Sequence, residues 1–262
     1  MWRYLRLYLS FLRFSFSRAM EFRVDFFFRI GMDTIWYAIH LTFFTVIFQH
    51  TGLLGGWNFD QCLIFAAAVF VADALQMTVF SNNMWWLPIY VNKGDLDYYL
   101  VRPVSSLFFL SVRDFAANSF LNLLLAIAIL IWALARYPEP FTAGPLVVFL
   151  LLLLAGALLS YAVQMIFIIP VFWLQSRAGL REISWSFSRF GSKPHGIYTG
   201  WVRRVLLSVL PYAFVASYPV HMLLEGMTGT RLLHTFAIVS GAMTFMIWFW
   251  GRAVRSYASA SS

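Results

Sequence analysis

The sequence predicts an all-α integral membrane protein. Of its 262 residues, 61% are hydrophobic and 11% charged, against roughly 45–50% and about 25% in soluble domains. Apolar runs of about 20 residues recur along it, and that length of helix spans a bilayer core of about 30 Å. The basic residues gather in alternate connections, which is the mark of an oriented membrane chain.

Each element follows in order. Residues 1–29 read as an interfacial helix. At 100° per residue Arg3, Arg6, Ser10, Arg13 and Ser17 share one narrow stripe, beside an apolar stripe of Trp2, Leu5, Leu9, Leu12 and Phe16. Such a helix lies flat with its arginines toward headgroups. Arginines at 3, 6, 13, 18, 23 and 29 leave no apolar core for a signal peptide. Transmembrane spans are expected at 30–48, 62–86, 106–134, 145–175 and 232–250. The fourth would be roughly 46 Å long at about 1.5 Å per residue, so it tilts or projects. The fifth of six spans has two candidate positions, 179–198 and 205–222. On the second, all but Arg136 and Arg231 of the 19 Lys and Arg residues fall on one side. Both versions place both termini in the cytoplasm.

Polar residues inside the spans draw notice. His40 and Asp73 sit at equal expected depth, with Gln76 three residues on, and a membrane carboxylate is a functional candidate. A possible translocation path through His40, Asp73 and Gln76 stands beside plain interhelical packing. Asp114, Asn118 and Asn122 recur at every fourth position, on one face of span three. Asn82 and Asn83 are expected to terminate span two. The single cysteine, Cys62, excludes an internal disulfide and a thiolate metal site. No phosphate-binding Gly-x-x-x-x-Gly-Lys loop is present. His195, His221 and His234 lack metal-ligand spacing, and no Ser/His/Asp or Cys/His set suggests catalysis.

The most informative stretch is Val91–Pro103, VNKGDLDYYLVRP. It gathers Lys93, Asp95, Asp97 and Arg102 between two apolar spans. Pro88 is expected to break the preceding helix and Pro103 to close the segment. A short cytoplasmic helix fits between them. Ile89, Leu96, Tyr99 and Leu100 offer apolar and aromatic contacts to a protein groove. The residues alone leave a solvated turn equally open.

Lys93-Gly94-Asp95-Leu96-Asp97 through Leu100-Val101-Arg102-Pro103 resembles the signature between spans two and three of ABC-2 (type-2 exporter) permeases, in a branch of bacterial permeases without a settled substrate. A second run is similar to the same branch: Gly196–Arg203, then Leu210-Pro211-Tyr212-Ala213-Phe214, then Tyr218-Pro219. It departs from that branch at Lys193–Gly196, where Tyr-Pro-Leu-Ser is usual, and at Thr199-Gly200, where Tyr-Pro is usual. The two motifs in order, with the span number and length, extend the resemblance over nearly the whole chain as one domain, 1–262.

The resemblance implies an exporter permease of the bacterial cytoplasmic membrane. Two permease subunits, identical or related, would dimerise, and each would dock a separate ABC ATPase. ATP and Mg would sit in that partner, and this chain would hold no cofactor and carry out no catalysis. Lys93, Gly94, Asp95, Leu96, Asp97, Tyr99, Leu100, Arg102 and Pro103 would form the coupling helix. Residues 1–29 would be the connecting helix, and 201–222 a re-entrant helix pair before the last span. Pro211 and Pro219 favour such a broken element, whereas a span at 179–198 must carry Arg181, Glu182, Arg189 and Lys193. Two further readings compete with this one, a membrane enzyme acting on lipid-linked substrates and a scaffold without transport. The first needs acids or histidines clustered at one membrane face, and the eleven acids are scattered. Membrane lipids are expected partners and nucleic acid is not.

Overall fold

The computed structural model describes residues 2–21, 23–174 and 179–257. Every regular element among them is helical. Five helical stretches are long and apolar enough to cross a membrane: Phe27–Phe48, Phe59–Lys93, Ala117–Arg136, Ala143–Leu174 and Gly229–Ser256. The chain begins with α1 (Trp2–Glu21) and α2 (Arg23–Phe48). The 1–29 segment is therefore not one element, because α2 already starts at Arg23.

The second crossing is compound. Helix α3 (Phe59–Gln76) passes into a π-helical turn, Met77–Ser81, and then into α4 (Asn82–Lys93). Its start is fixed by a capping box. Asn58 Oδ1 accepts from the Gln61 amide at 3.0 Å, and Gln61 Oε1 accepts from the Asn58 amide at 3.0 Å. Asn82 and Asn83 do not end the helix, and Pro88 does not break it. Pro88 lies buried inside α4, between buried Leu87 and Val91. It removes one backbone donor, but neighbouring helices hold the segment, as they commonly do in membranes. The true stop is Gly94, at φ 80°, a left-handed position suited to glycine.

The third crossing is shorter than 106–134. Helix α5 (Asp97–Leu100) is followed by α6 (Ser106–Val112), a break at 113–116, and α7 (Ala117–Arg136). Asp114 lies in that break, so it does not share a helical face with Asn118 and Asn122. Helix α8 (Ala143–Ile168) ends before Pro170, and α9 (Val171–Leu174) adds one turn. The next helices are α10 (Gly179–Ser188), α11 (Gly200–Leu206), α12 (Ser217–Glu225) and α13 (Gly229–Ser256).

The region between α9 and α13 is built of short helices, none of them among the five long apolar stretches. No single helix covers 205–222. Helix α11 ends at Leu206, a 3-10 turn forms at Tyr212–Phe214, and α12 starts at Ser217. The chain stands beside the end of α8 at Val171–Leu174, and α10 then packs along α8, with Phe187 stacked on Phe167 at 5.6 Å. By His195 it has reached the opposite end, where that ring lies 5.9 Å from Trp57 in the loop after α2. Helix α10 has ten residues, about 15 Å. Two short 3-10 turns complete the passage. Lys193, Arg203 and Arg204 thus join Arg136 and Arg231 at this end, so the basic excess at the other end is weaker than on the 205–222 alternative.

Of three buried clusters among the described residues, a small one joins Leu159 and Val163 of α8 to Tyr212 and Phe214, and the two larger ones stack along the bundle. The first surrounds α3, whose buried Ala66, Ala67 and Ala68 face Ala126, Leu130 and Ala133 of α7 and Phe149 and Leu153 of α8. Lipid is as apolar as leucine, so close approach of small residues is what drives such packing. The second core lies toward the basic end. There Leu87 and Val91 of α4, Leu96, Leu110, Ile168 of α8 and Trp250 of α13 are buried together. Helix α12 returns to pack on α3 and α8 in the first core through Val220 and Leu223. Gly156 admits that return, since a Cβ there would lie 2.4 Å from the Val215 carbonyl oxygen.

Candidate functional site

The Val91–Pro103 stretch forms a rigid turn at the basic end. The Leu96 amide donates back to the Tyr90 carbonyl at 3.2 Å, and the Asp97 amide to the Gly94 carbonyl at 3.3 Å. Leu96 is fully buried in the second core, with Tyr99 and Leu100 packed against that core. Leu96 anchors the turn from inside, while Tyr99 and Leu100 are only partly buried. Lys93, Tyr98, Val101, Arg102 and Pro103 point outward, with Tyr98 71% and Val101 82% exposed.

Aromatic and cationic contacts stiffen the turn. Tyr99 lies between Tyr90 at 5.2 Å and Phe109 at 5.6 Å. The Arg113 guanidinium lies over the Tyr99 ring at 5.2 Å and donates to its hydroxyl. Arg102 lies 5.0 Å over Phe109, and its Nε donates to the Tyr98 carbonyl at 3.2 Å. Tyr90, Asp95, Tyr98, Tyr99, Arg102 and Arg113 rim an open cavity of about 420 Å³. Tyr257, just past α13, also senses this turn. Burial, helped by the Asp97 and Asp95 carboxylates, pushes its hydroxyl pKa up.

Helix α1 lies against α6 and the start of α7. Tyr4 meets Phe108 edge-on at 4.9 Å and accepts from the Ser105 amide at 3.3 Å; Phe11 meets Phe109 at 5.2 Å. Phe16 meets Phe115 at 5.6 Å and Phe120 at 5.9 Å. The packed face is thus centred on Tyr4, Phe11 and Ser15. Leu5 and Leu9, of the expected apolar stripe, are exposed. Arg6 and Arg13 are exposed on a third face. The Arg3 side chain is outside the described residues.

A polar joint links α1, α4 and the 113–116 break. The Asp114 amide donates to Asn83 Oδ1 at 2.8 Å, and Asn83 Nδ2 donates to the Asp114 carbonyl at 3.0 Å and the Val79 carbonyl at 3.1 Å. The Phe115 amide donates to Ser15 Oγ at 3.2 Å. The Ala116 amide donates to the Thr78 carbonyl at 2.9 Å. Arg18 forms an ion pair with Asp114. Each buried amide left bare would cost about 1–3 kcal/mol, so the break persists because three different elements satisfy it. Asn83, expected as a helix stop, instead bridges α4 to the break. No local signal marks it, because its partner lies 31 residues away.

The match that decides the family covers most of the chain. A family description, ABC-2 family transporter protein, fits residues 34–261. The chain belongs to the ABC-2 transporter family. Searches of curated proteins and of solved structures give no match. Membership implies a multi-pass membrane transport subunit, in a family that generally works with ABC ATPase subunits.

In this ABC-2 protein no hydrogen bond joins the expected path residues His40, Asp73 and Gln76 to one another. His40 Nδ1 contacts the Trp36 carbonyl at 3.0 Å and its ring packs on Trp36 at 3.9 Å. No hydrogen bond joins it to Asp73. Asp73 instead lies within electrostatic reach of Tyr37, as does Asp33. Gln76 Nε2 contacts Met84 Sδ at 3.5 Å. Asn122 donates to Asp33 rather than to Asn118 or Asp114. Helices α2, α3 and α7 thus share a polar seam of Asp33, Tyr37, Asp73 and Asn122, of which only Asp73 and Asn122 stood out in the sequence. Among the described residues no three His, Cys, Asp or Glu side chains could hold a metal ion.

Proposed function

We propose that the chain is the permease subunit of an ABC exporter, one half of a dimeric pathway whose two ATPases are separate chains that bind ATP and Mg. The carrying observation is the Gly94–Pro103 turn. It is anchored in the second core by Leu96 and presents Tyr98, Val101 and Arg102 outward beside α1. A rigid projection with an exposed aromatic, an aliphatic and charge has the chemistry of an interface anchor. On this reading the turn seats in a cleft of the ATPase, and closure of the two ATPases pushes it. Exposed side chains test the dock without disturbing the fold. With a co-expressed ABC ATPase, Tyr98→Ala combined with Val101→Asp should lower its retention on the purified permease about tenfold or more. Unchanged retention and unchanged ATP turnover would sink the assignment.

The same reading gives six crossings with both termini cytoplasmic, in a bacterial inner membrane. The fifth crossing is made by α10 and the turns after it, and 200–225 is re-entrant at the outer face. Arg203, which is exposed, reports on this directly. Arg203→Cys should react with an impermeant maleimide added outside intact cells, while buried Cys62 stays silent. Labelling only after the inner face is opened overturns the topology.

A further inference from the structure

We propose that the π-turn Met77–Ser81 and the 113–116 break form a single hinge, with Asn83 as the positioning residue that makes α1 and the α4–α6 layer move as one body. The proposal rests on the docking role of the Gly94–Pro103 turn, which α4 carries.

The two irregularities are bonded to each other. In a continuous helix the amides of Asp114, Phe115 and Ala116 would be satisfied one turn back. Here the Asp114 amide goes to the Asn83 side chain, the Phe115 amide to Ser15 of α1, and the Ala116 amide to the Thr78 carbonyl. Thr78 lies within the π-turn, where helical register shifts by one residue. So the second and third crossings are interrupted at the same level, and each interruption completes the other.

The hinge also separates the two cores. Toward one end α3 and α7 pack tightly in the alanine-rich core. Toward the other, α4, the Leu96 turn and α6 share the second core. Helix α6 is tied to α8 at this level by the Ser111 and Tyr161 hydroxyls, and Phe80 stacks on Tyr161 at 4.3 Å. Trp250 Nε1 donates to Ser106 Oγ at 3.3 Å, joining the end of α13 to the same layer. A push on the turn thus passes up α4 to Asn83, and from Asn83 through the break to Ser15 and Arg18 of α1. Discrete bonds of this kind at a packed boundary suit a two-position joint.

Hydrogen exchange on the full chain in nanodiscs tests the joint. Asn83→Ala should speed exchange at 114–116 about tenfold or more and carry the loosening into α1 residues 11–18, with 123–136 of α7 unchanged. Exchange within twofold of wild type at 114–116, or a fully protected α1, overturns the joint. Should Asn83→Ala fail to insert, Ser15→Ala removes one acceptor only and should raise exchange at Phe115 and in α1. The assembled complex supplies the second readout. With the ATPase bound, ATP should alter α1 exchange in wild type and not in Asn83→Ala, at equal ATPase retention. An identical ATP response in both overturns the hinge, whereas failure of wild type to retain the ATPase speaks against the dock and leaves the nanodisc result to decide the joint.

Discussion

Replacing Gly156 with valine should release the returning segment 200–225 from α8 and destabilise the protein by about 1–3 kcal/mol. The reason is geometric. Even a Cβ at 156 would stand 2.4 Å from the Val215 carbonyl oxygen, 2.9 Å from Val215 Cα and 3.0 Å from the Phe214 carbonyl oxygen. All three are backbone atoms, which no rotamer change can move aside. Val215 leads into Ala216 and α12, whose Val220 and Leu223 close the first core. A shift there opens the packing on both α3 and α8. Ala216→Cys supplies a reporter, since Ala216 is fully buried. Its thiol should resist an impermeant maleimide in the parent chain and react once Gly156→Val is added, with a matching fall in thermal midpoint. Protection and midpoint both unchanged would show that the segment does not depend on this contact.

The contrast between α8 and α4 shows what could be read from the sequence. The class, the helical composition and the long apolar elements follow from hydropathy, since lipid demands internally satisfied backbone. The Gly94 stop was also open to reading, as glycine after Lys93 is an ordinary helix end. Pro88 misleads because its burial between Leu87 and Val91 is a tertiary fact. The break at 113–116 is invisible for the same reason. Its amides are satisfied by Ser15, Asn83 and Thr78, none of them local. Helix α1 differs: what its sequence left unmarked is the face that packs on protein. In water, its apolar stripe would be the packed side. Here Leu5 and Leu9 are exposed, a side open to lipid, while Tyr4, Phe11 and Ser15 meet the protein. Hydropathy ranks a residue's dislike of water and does not separate lipid from protein.

That distinction governs the turn, where Leu96→Ala should be more damaging than any change on its outer rim. Leu96 is fully buried among Leu87, Leu110, Ile168 and Trp250. Removing its side chain leaves a cavity that backbone bonds to Tyr90 and Gly94 prevent from closing, and buried Leu→Ala changes cost about 2–5 kcal/mol. The loss falls on the turn itself, since Leu96 is its main fixed point. Helix α5, four residues long, cannot persist without tertiary support. Exchange at Asp97–Val101 should therefore rise about thirtyfold or more in Leu96→Ala, by the ten-per-1.4 kcal/mol rule, while Tyr98→Ala and Val101→Asp leave it near wild type. ATPase retention should fall in all three. Loss of order and loss of binding thus separate, the first belonging to the buried leucine and the second to both faces. If Leu96→Ala keeps the turn protected, the anchor lies elsewhere, in the Tyr90–Tyr99–Arg113 stack. Arg113→Ala should then reproduce the loosening that Leu96→Ala failed to give.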